Sequence, residues 1–198
     1  HTYILIWFNM AHIEALVRHI LKWECGASAA QLAKYADNEQ LFNAVRKTTR
    51  NPNDPGGWTN SGITLATWIA RGYDNDGDGD RDLADLRAMT YPQWITIMRD
   101  GYWRRALADR INSQSVADMI VDFMFTSGGA AKCVQRVVGV AADGVFGPKT
   151  IEAINIRPAE DLFYRLRNAR LNYYRSLPAW KHFGKGWTNR VMDIRFTG

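Results

Sequence analysis

A helical periodicity that recurs along the chain constrains the fold most, because convincing alternating strand patterns are scarce. It is clearest over residues 12–24, where apolar residues recur at i, i+3, i+4, i+7 and i+8: Ile13, Leu16, Val17, Ile20 and Leu21. Such spacing lines one face of an α-helix, and Gly26 then supplies a helix stop. We therefore predict a mainly α protein, with one short hairpin within residues 54–64.

Capping signals predict where further helices begin. Ser28 and Asn38 are candidate N-caps for two short helices within residues 28–49. Thr90, with Gln93 three residues later, is typical of a capping box, in which the two side chains satisfy backbone N–H groups reciprocally. We expect a helix to start at this pair.

Composition and charge narrow the class of protein. The 198 residues are 46% hydrophobic and 23% charged, which excludes a disordered chain. The net charge of +5 favours anionic partners, but no block of five basic residues predicts a nucleic-acid-binding arm. The apolar run at residues 3–8 is far shorter than the roughly 20 residues of a membrane-spanning helix. Cys25 and Cys133 are expected to be free thiols.

Glu24 continues the apolar face of residues 12–24 into the last turn of the first helix. Burial disfavours an ionised carboxylate, so we expect the pKa of Glu24 to be raised. A glutamic acid of raised pKa is what protonation of a glycosidic oxygen requires near neutral pH. The alternative is a helix-end glutamate that turns to solvent or pairs with Lys22 or Arg18.

A polar, glycine-containing stretch at residues 53–64 offers a second carboxylate, Asp54. Glycoside hydrolysis usually uses two carboxylates across the scissile bond. Thr59 and Asn60 can hold a water molecule or a sugar hydroxyl. Taken alone, such a stretch is equally consistent with a polar turn.

An acidic stretch at residues 74–85 follows the spacing of an EF-hand loop, with a glycine at the sixth position. The candidate ligands for a structural Ca²⁺ are Asp74, Asp76, Asp78, Asp80 and Asp85. Arg81 stands where an apolar residue usually packs, and Asp85 replaces the usual glutamate. The alternative is a solvated acidic loop that caps the next helix.

Gln135 and the stretch from Asp143 to Thr150 resemble predicted peptidoglycan-binding modules, whose pattern is Leu-Gln…Asp-Gly-x-x-Gly-x-x-Thr. The Asp-Gly pair favours a tight turn, and Gly147-Pro148 favours a helix start. The pattern predicts either contact with the cell wall or a turn that shapes the fold.

In their order along the chain these motifs resemble the N-acetylmuramidases of glycoside hydrolase family 108, which occur in phage and prophage lysis modules and are also labelled secretion activators. That family opens with a helix ending in Glu-Gly-Gly, matched by residues 24–26 except that Cys25 replaces the first glycine. Its Asp-Pro-Gly-Gly-x-Thr-Asn-x-Gly-Ile-Thr stretch is matched by residues 54–64. Its Gly-Trp-x-x-Arg ending is matched by residues 186–190, so the resemblance covers about residues 12–195.

The resemblance implies a lysozyme-like helical fold, with a catalytic region at residues 10–111 and a helical, peptidoglycan-binding-like region at residues 112–198 packed against it. The spacing between the first two motifs exceeds that of the family, so residues 28–49 are interpreted as a helical insertion. The implied substrate is peptidoglycan, and no cofactor is required. We expect a monomer that is made in the bacterial cytoplasm and acts on the wall in the periplasm or outside.

The implied reaction is hydrolysis of the β-1,4 bond between N-acetylmuramic acid and N-acetylglucosamine. Glu24 would protonate the leaving oxygen, and Asp54 and Thr59 would position water or stabilise developing positive charge. Four further residues are predicted to bind the sugars: Trp58, Asn60, Tyr102 and Trp103. The alternative is a non-catalytic wall-binding or secretion-assembly protein on the same fold, for which the Cys25 departure leaves room.

Overall fold

The computed structural model describes residues 10–53 and 57–198, and it confirms a mainly α fold with one small sheet. The chain divides into two compact units, one of residues 14–101 and the other combining residues 102–198 with residues 10–13. Both cysteines are free thiols. Within the described ranges, every helix is too short or too polar to cross a bilayer.

The unit of residues 14–101 contains six helices and three short strands among its described residues. In chain order they are α1 (Glu14–Cys25), α2 (Ala29–Lys34), α3 (Asn38–Val45), β1 (Thr48–Arg50), β2 (Trp58–Asn60), β3 (Ile63–Thr64), α4 (Leu65–Arg71), α5 (Leu83–Arg87) and α6 (Tyr91–Met98). The strands form an antiparallel sheet in the order β1-β2-β3. The hairpin β2–β3 lies within the predicted segment, whereas β1 occupies residues for which helix or loop was expected.

Local capping explains most helix starts in this unit. Ser28 caps α2 and Thr90 caps α6, as predicted. Both caps are complete capping boxes, which was predicted for Thr90 alone. The N-cap of α3 is Asp37, whose carboxylate accepts the N–H of Gln40, so the prediction of Asn38 was wrong by one residue. Asp37 is the N-cap because its short side chain reaches the free N–H groups of the first turn, whereas Asn38 already lies within the helix.

The segment interpreted as an insertion contributes to the core of this unit. Leu41 and Phe42 of α3 are fully buried, and the Phe42 ring lies 5.4 Å from that of Trp94 in α6. Removing a side chain of this size from a core costs about 3–5 kcal/mol. Residues 28–49 are therefore part of what holds the unit together and not an appendage to it.

The second unit is built from five helices, preceded by a π-helical turn (Arg99–Trp103) that crosses the boundary between the units and by a 3₁₀ turn (Ala108–Arg110). The helices are α7 (Gln114–Thr126), α8 (Ala130–Val138), α9 (Pro148–Asn155), α10 (Ala159–Arg175) and α11 (Trp180–Asp193). The N-terminal segment joins this unit through the Ala11 N–H, which donates to the Ile111 carbonyl at 3.1 Å.

A buried ionic cluster ties α7, α10 and α11 together. Asp122 of α7 is fully buried and accepts from Arg170 at 2.7 Å and from Arg190 at 2.8 Å. Arg170 is itself fully buried and also donates to the Tyr174 hydroxyl at 3.0 Å. Two cations around one carboxylate compensate its desolvation. The Gly-Trp-x-x-Arg ending seen in the sequence therefore supplies a core ion pair through Arg190.

Candidate active site

Glu24 lies on the apolar side of α1. Leu21 is buried one turn before it, as are Leu16, Val17 and Ile20 further back along the helix. Glu24 itself is only half-buried, because it belongs to the last turn, where the packed core ends. The predicted position on the apolar face is thus observed, at a residue that keeps part of its surface exposed.

The hairpin that carries Thr59 turns through two residues with positive φ, Ser61 (φ 48°) and Gly62 (φ 85°). Positive φ at both central residues is the signature of a type I′ turn, whose twist matches that of paired strands. Glycine adopts this conformation at no steric cost, whereas Ser61 is strained there. The hydrogen bonds that Ser61 forms offset this backbone strain.

Ser61 is buried and is held by every polar group it possesses. Its N–H donates to the Lys47 carbonyl at 3.2 Å, and its own carbonyl accepts the indole N–H of Trp94 at 2.9 Å. Its hydroxyl donates to the Asn60 side-chain oxygen at 2.9 Å. The turn is thereby fixed to the segment before β1 and to α6.

Cys25 connects the end of α1 to the same turn. Burial raises the pKa of the Cys25 thiol, and the Ser61 side chain partly opposes that rise. Lys47 lies beside the end of the helix, since a Cβ atom at Gly26 would be 3.8 Å from its ammonium nitrogen. Glu24 is the residue before Cys25, at the end of α1.

The two faces of the sheet have different environments. Pairing of Thr59 with Thr49 and Thr64 puts three threonines on one face. Trp58 and Asn60 belong to the other face, because side chains alternate along a strand. Thr59 is half-buried on the threonine face, where a hydroxyl can still meet solvent or ligand.

Asn60 does not fit its predicted role as a sugar ligand. It is 1% exposed, its amide N–H donates to the Leu86 carbonyl at 2.8 Å, and its side-chain oxygen accepts from Ser61. Trp58 is half-buried, with the guanidinium carbons of Arg87 and Arg50 at 5.0 and 5.7 Å from the ring centre. A sugar stacking on Trp58 would have to share the ring with these cations.

The remaining predicted site residues differ in whether their surroundings allow a role in sugar binding. Asp54 lies outside the described residues. Tyr102 and Trp103 belong to the second unit. Trp103 is fully buried and its indole N–H donates to Asp109 at 2.6 Å, so it has no open face for a sugar and serves the core. Tyr102 is half-buried and packs edge-on against Phe125, with 5.0 Å between ring centres.

The acidic loop is organised by its own carboxylates. Asp74 accepts the N–H groups of Gly77 and Gly79, at 2.6 and 2.9 Å. Asp85 is buried, and the N–H of Asp82, which donates to it at 2.8 Å, lowers the pKa of its carboxyl group. Most oxygens that EF-hand spacing would offer at these two positions are therefore engaged with the backbone.

Two trios of carboxylates in this loop have oxygens within 4.8 Å of one another: Asp74, Asp76 and Asp78, and Asp80, Asp82 and Asp85. The negative charge of Asp78 raises the pKa of Asp80. A hard divalent cation prefers such oxygen ligands and would relieve this repulsion. The donor set fits Ca²⁺, although Asp85 also has a purely structural use as the N3 residue of the capping box that starts α5.

Gln135, the first residue of the C-terminal motif, is 1% exposed, and its side-chain amide is hydrogen-bonded within the protein. Its N–H₂ group donates to Asp143 at 2.9 Å and to the Val145 carbonyl at 3.0 Å. Its oxygen accepts the N–H of Gly144 at 2.8 Å. The Val145 N–H lowers the pKa of Asp143. Of the two predictions for this motif, the structure favours the turn that shapes the fold.

Sequence reasoning missed the residues that hold the candidate site. The Ser61-Gly62 pair is a turn signal that could have located the turn within the predicted hairpin segment. The carbonyl partner of Trp94 could not be found in this way, since a buried indole needs an acceptor but its sequence position does not say which.

Comparisons with known proteins support the sequence-based assignment. The family model described as Glycosyl hydrolase 108 matches residues 44–128, and that of a predicted peptidoglycan domain matches residues 129–192. Among solved structures the chain is similar to SagA of Brucella abortus, with 34% sequence identity and a TM-score of 0.64, over 84% of this chain and 92% of that chain. No curated protein matches.

The first match includes the hairpin with Thr59 but begins after Glu24. The likeness to SagA, in contrast, extends over most of both chains. The two family matches also follow one another in the order that the motifs predict. On these grounds the chain belongs to the glycosyl hydrolase 108 family.

Proposed function

We propose that the protein cleaves peptidoglycan as an N-acetylmuramidase, hydrolysing the β-1,4 bond between N-acetylmuramic acid and N-acetylglucosamine. Family membership and the predicted peptidoglycan domain support a peptidoglycan hydrolase. The observation that supports the finer proposal is that the half-buried Glu24 precedes Cys25, whose pKa is affected by the Ser61 side chain of the hairpin. Thr59, two residues before Ser61, lies on the threonine face of the same sheet.

In this mechanism Glu24 protonates the glycosidic oxygen as the bond breaks. A half-buried carboxyl group at the rim of a core combines partly apolar surroundings with access to a substrate, as a general acid requires. Asp54 is the proposed second carboxylate, which stabilises positive charge at the sugar or directs water. The Thr59 hydroxyl donates to or accepts from that water. Tyr102 stays a predicted sugar contact.

The test compares wild type with Glu24→Gln on purified peptidoglycan. We expect Glu24→Gln to lower the rate of turbidity loss by about 10²–10⁴-fold, which is the usual contribution of general acid catalysis. Pelleting with the wall should be unchanged. Glu14→Gln is the matched control, because it makes the same change at the exposed start of the same helix.

Product analysis identifies the bond. After borohydride reduction of the fragments, a muramidase leaves reduced muramic acid at the new end, whereas a glucosaminidase leaves reduced glucosamine. Reduced glucosamine would contradict the proposed bond. Wall binding by wild type without any release of fragments would favour the alternative of a non-catalytic wall-binding protein.

Structural Ca²⁺ in the acidic loop stays a prediction with its own test. If the loop binds Ca²⁺, adding EGTA lowers the thermal unfolding midpoint of wild type. Asp76→Asn with Asp78→Asn should remove that effect, since both carboxylates are exposed in one trio. An unfolding midpoint that is the same in EGTA and in excess Ca²⁺ would rule the site out.

A further inference from the structure

Helix α11 carries a shallow groove of about 330 Å³ along its outer surface. Two neighbouring i, i+4, i+8 rows of the helix line it, one made of Trp180, Gly184 and Thr188 and the other of Lys181, Lys185 and Asn189. Residues spaced by four lie above one another on a helix. The groove therefore has an aromatic row beside a cationic and amide row.

Gly184 shapes the aromatic row. A Cβ atom at this position would lie 2.7 Å from the indole ring of Trp180, so any other residue would displace the ring. Glycine in a helix interior costs roughly 0.5–1 kcal/mol relative to alanine. The close approach of indole and backbone explains why glycine is needed here. Trp180 is itself only half-buried, and Phe183 beside it is 57% exposed.

The other row supplies unsatisfied cations. Lys181 and Lys185 are both exposed, and neither forms an ion pair with any residue in the described ranges. Arg175 adds a third positive charge, with its guanidinium carbon 5.8 Å from the centre of the Trp180 ring. A sugar stacking on Trp180 would share the ring with this one cation, whereas Trp58 has two. Like charges held close on one face attract an anionic polymer.

We infer that this groove binds the glycan strand of peptidoglycan, with Trp180 stacking on a sugar face and Lys181 and Lys185 meeting carboxylates of the stem peptides that branch from that strand. Sugars stack on aromatic rings through their apolar C–H faces, and the Asn189 amide suits an N-acetyl group. The inference rests on the proposed function and adds to it a second contact, remote from Glu24 in sequence, that holds the polymer during turnover.

The test is a charge reversal in the groove, Lys181→Glu with Lys185→Glu, which changes only exposed side chains. We expect pelleting with purified, teichoic-acid-free peptidoglycan to weaken at least tenfold, and the remaining binding to depend less on salt. Turnover of soluble fragments two disaccharides long should stay within twofold of wild type, since neither substitution changes a proposed catalytic residue. Trp180→Ala should weaken pelleting as well, with folding checked by thermal unfolding.

Lys132→Glu with Arg136→Glu is the matched control, because it reverses two exposed charges spaced by four on α8 of the same unit. Equal weakening by this control would show that only overall charge matters and would overturn the inference. Unchanged pelleting of the groove variants would overturn it too, while leaving the proposed hydrolysis intact. If wild type neither binds nor cleaves the wall, the proposed function itself fails.

Discussion

Glu24 and Asp122 are both acidic residues on the apolar side of an amphipathic helix, but they differ in burial. Asp122 lies in the middle of α7, is fully buried, and is neutralised by Arg170 and Arg190. Glu24 lies in the last turn of α1 and is half-buried. An acid on an apolar stripe therefore indicates chemistry only where the stripe ends and the carboxyl group can meet a ligand.

The largest expected effect comes from making the same change at both positions. Asp122→Asn should destabilise the protein by about 3–5 kcal/mol, because it leaves two arginines without their counter-charge in the core. Glu24→Gln should change the free energy of unfolding by less than about 1 kcal/mol, since solvent compensates a half-buried group. Urea unfolding of the two variants checks this. Similar losses of stability in both would break the comparison.

Gln135 extends the comparison to a neutral buried group. Gln135→Leu keeps the approximate volume but leaves the Gly144 N–H and the Val145 carbonyl without their partner. We expect a loss of about 2–3 kcal/mol. Gln40→Leu, which alters an exposed amide on α3, is the control and should cost less. If the Gln135→Leu variant is as stable as wild type but no longer binds peptidoglycan, the prediction that the motif contacts the cell wall would be favoured instead.

Asp118 sharpens the comparison, because it lies one turn before Asp122 and is hydrogen-bonded to the neutral Gln114 amide at 2.7 Å. Burial raises the pKa of Asp118 to about 7. The protonated form stabilises the fold below the unfolded pKa near 4, and this contribution is lost as the pH rises through 7. Asp118→Asn should thus gain about 2 kcal/mol relative to wild type at pH 8, after allowance for partial exposure, and almost nothing at pH 4. The free energy of unfolding in urea, measured for both proteins at pH 4 and pH 8, tests this prediction. The same difference between variant and wild type at both pH values would contradict a raised pKa of Asp118.

Thr59 gives the smallest effect on stability. Thr59→Val keeps the shape and removes the hydroxyl from a half-buried sheet position, so the free energy of unfolding should change by less than about 0.5 kcal/mol. The rate of peptidoglycan hydrolysis should fall about tenfold if the hydroxyl positions water. Thr49→Val, directly opposite in the sheet, is the control. Equal rates for the two variants would remove Thr59 from the mechanism.

Features that depend on neighbours in sequence could be predicted. The capping boxes at Ser28 and Thr90, the mainly α class and the hairpin all follow from signals within a few residues. The position of Glu24 on the apolar face of α1 follows from periodicity in the same way. The family resemblance added the order of the motifs along the chain, which the comparisons bear out.

Features that depend on distant partners could not be predicted. Trp103 is buried by packing, and Asn60 is anchored to Leu86, 26 residues away. Nothing in the local sequence pattern separates these two residues from sugar-binding residues. The strand β1 was not predicted, because three residues are too few to show an alternating apolar pattern. This segment forms a strand by pairing with β2. The counter-charges of Asp122 lie 48 and 68 residues away.

The same ionic cluster has a consequence for the order in which the chain matures on the ribosome. The unit of residues 14–101 has all its sequence available as soon as α6 has emerged. The second unit has to wait, because Asp122 is without its second arginine until α11 is made, and residues 10–13 from the start of the chain belong to it too. A nascent chain stalled before Arg190 should therefore hold a protease-resistant first unit and a protease-sensitive second one.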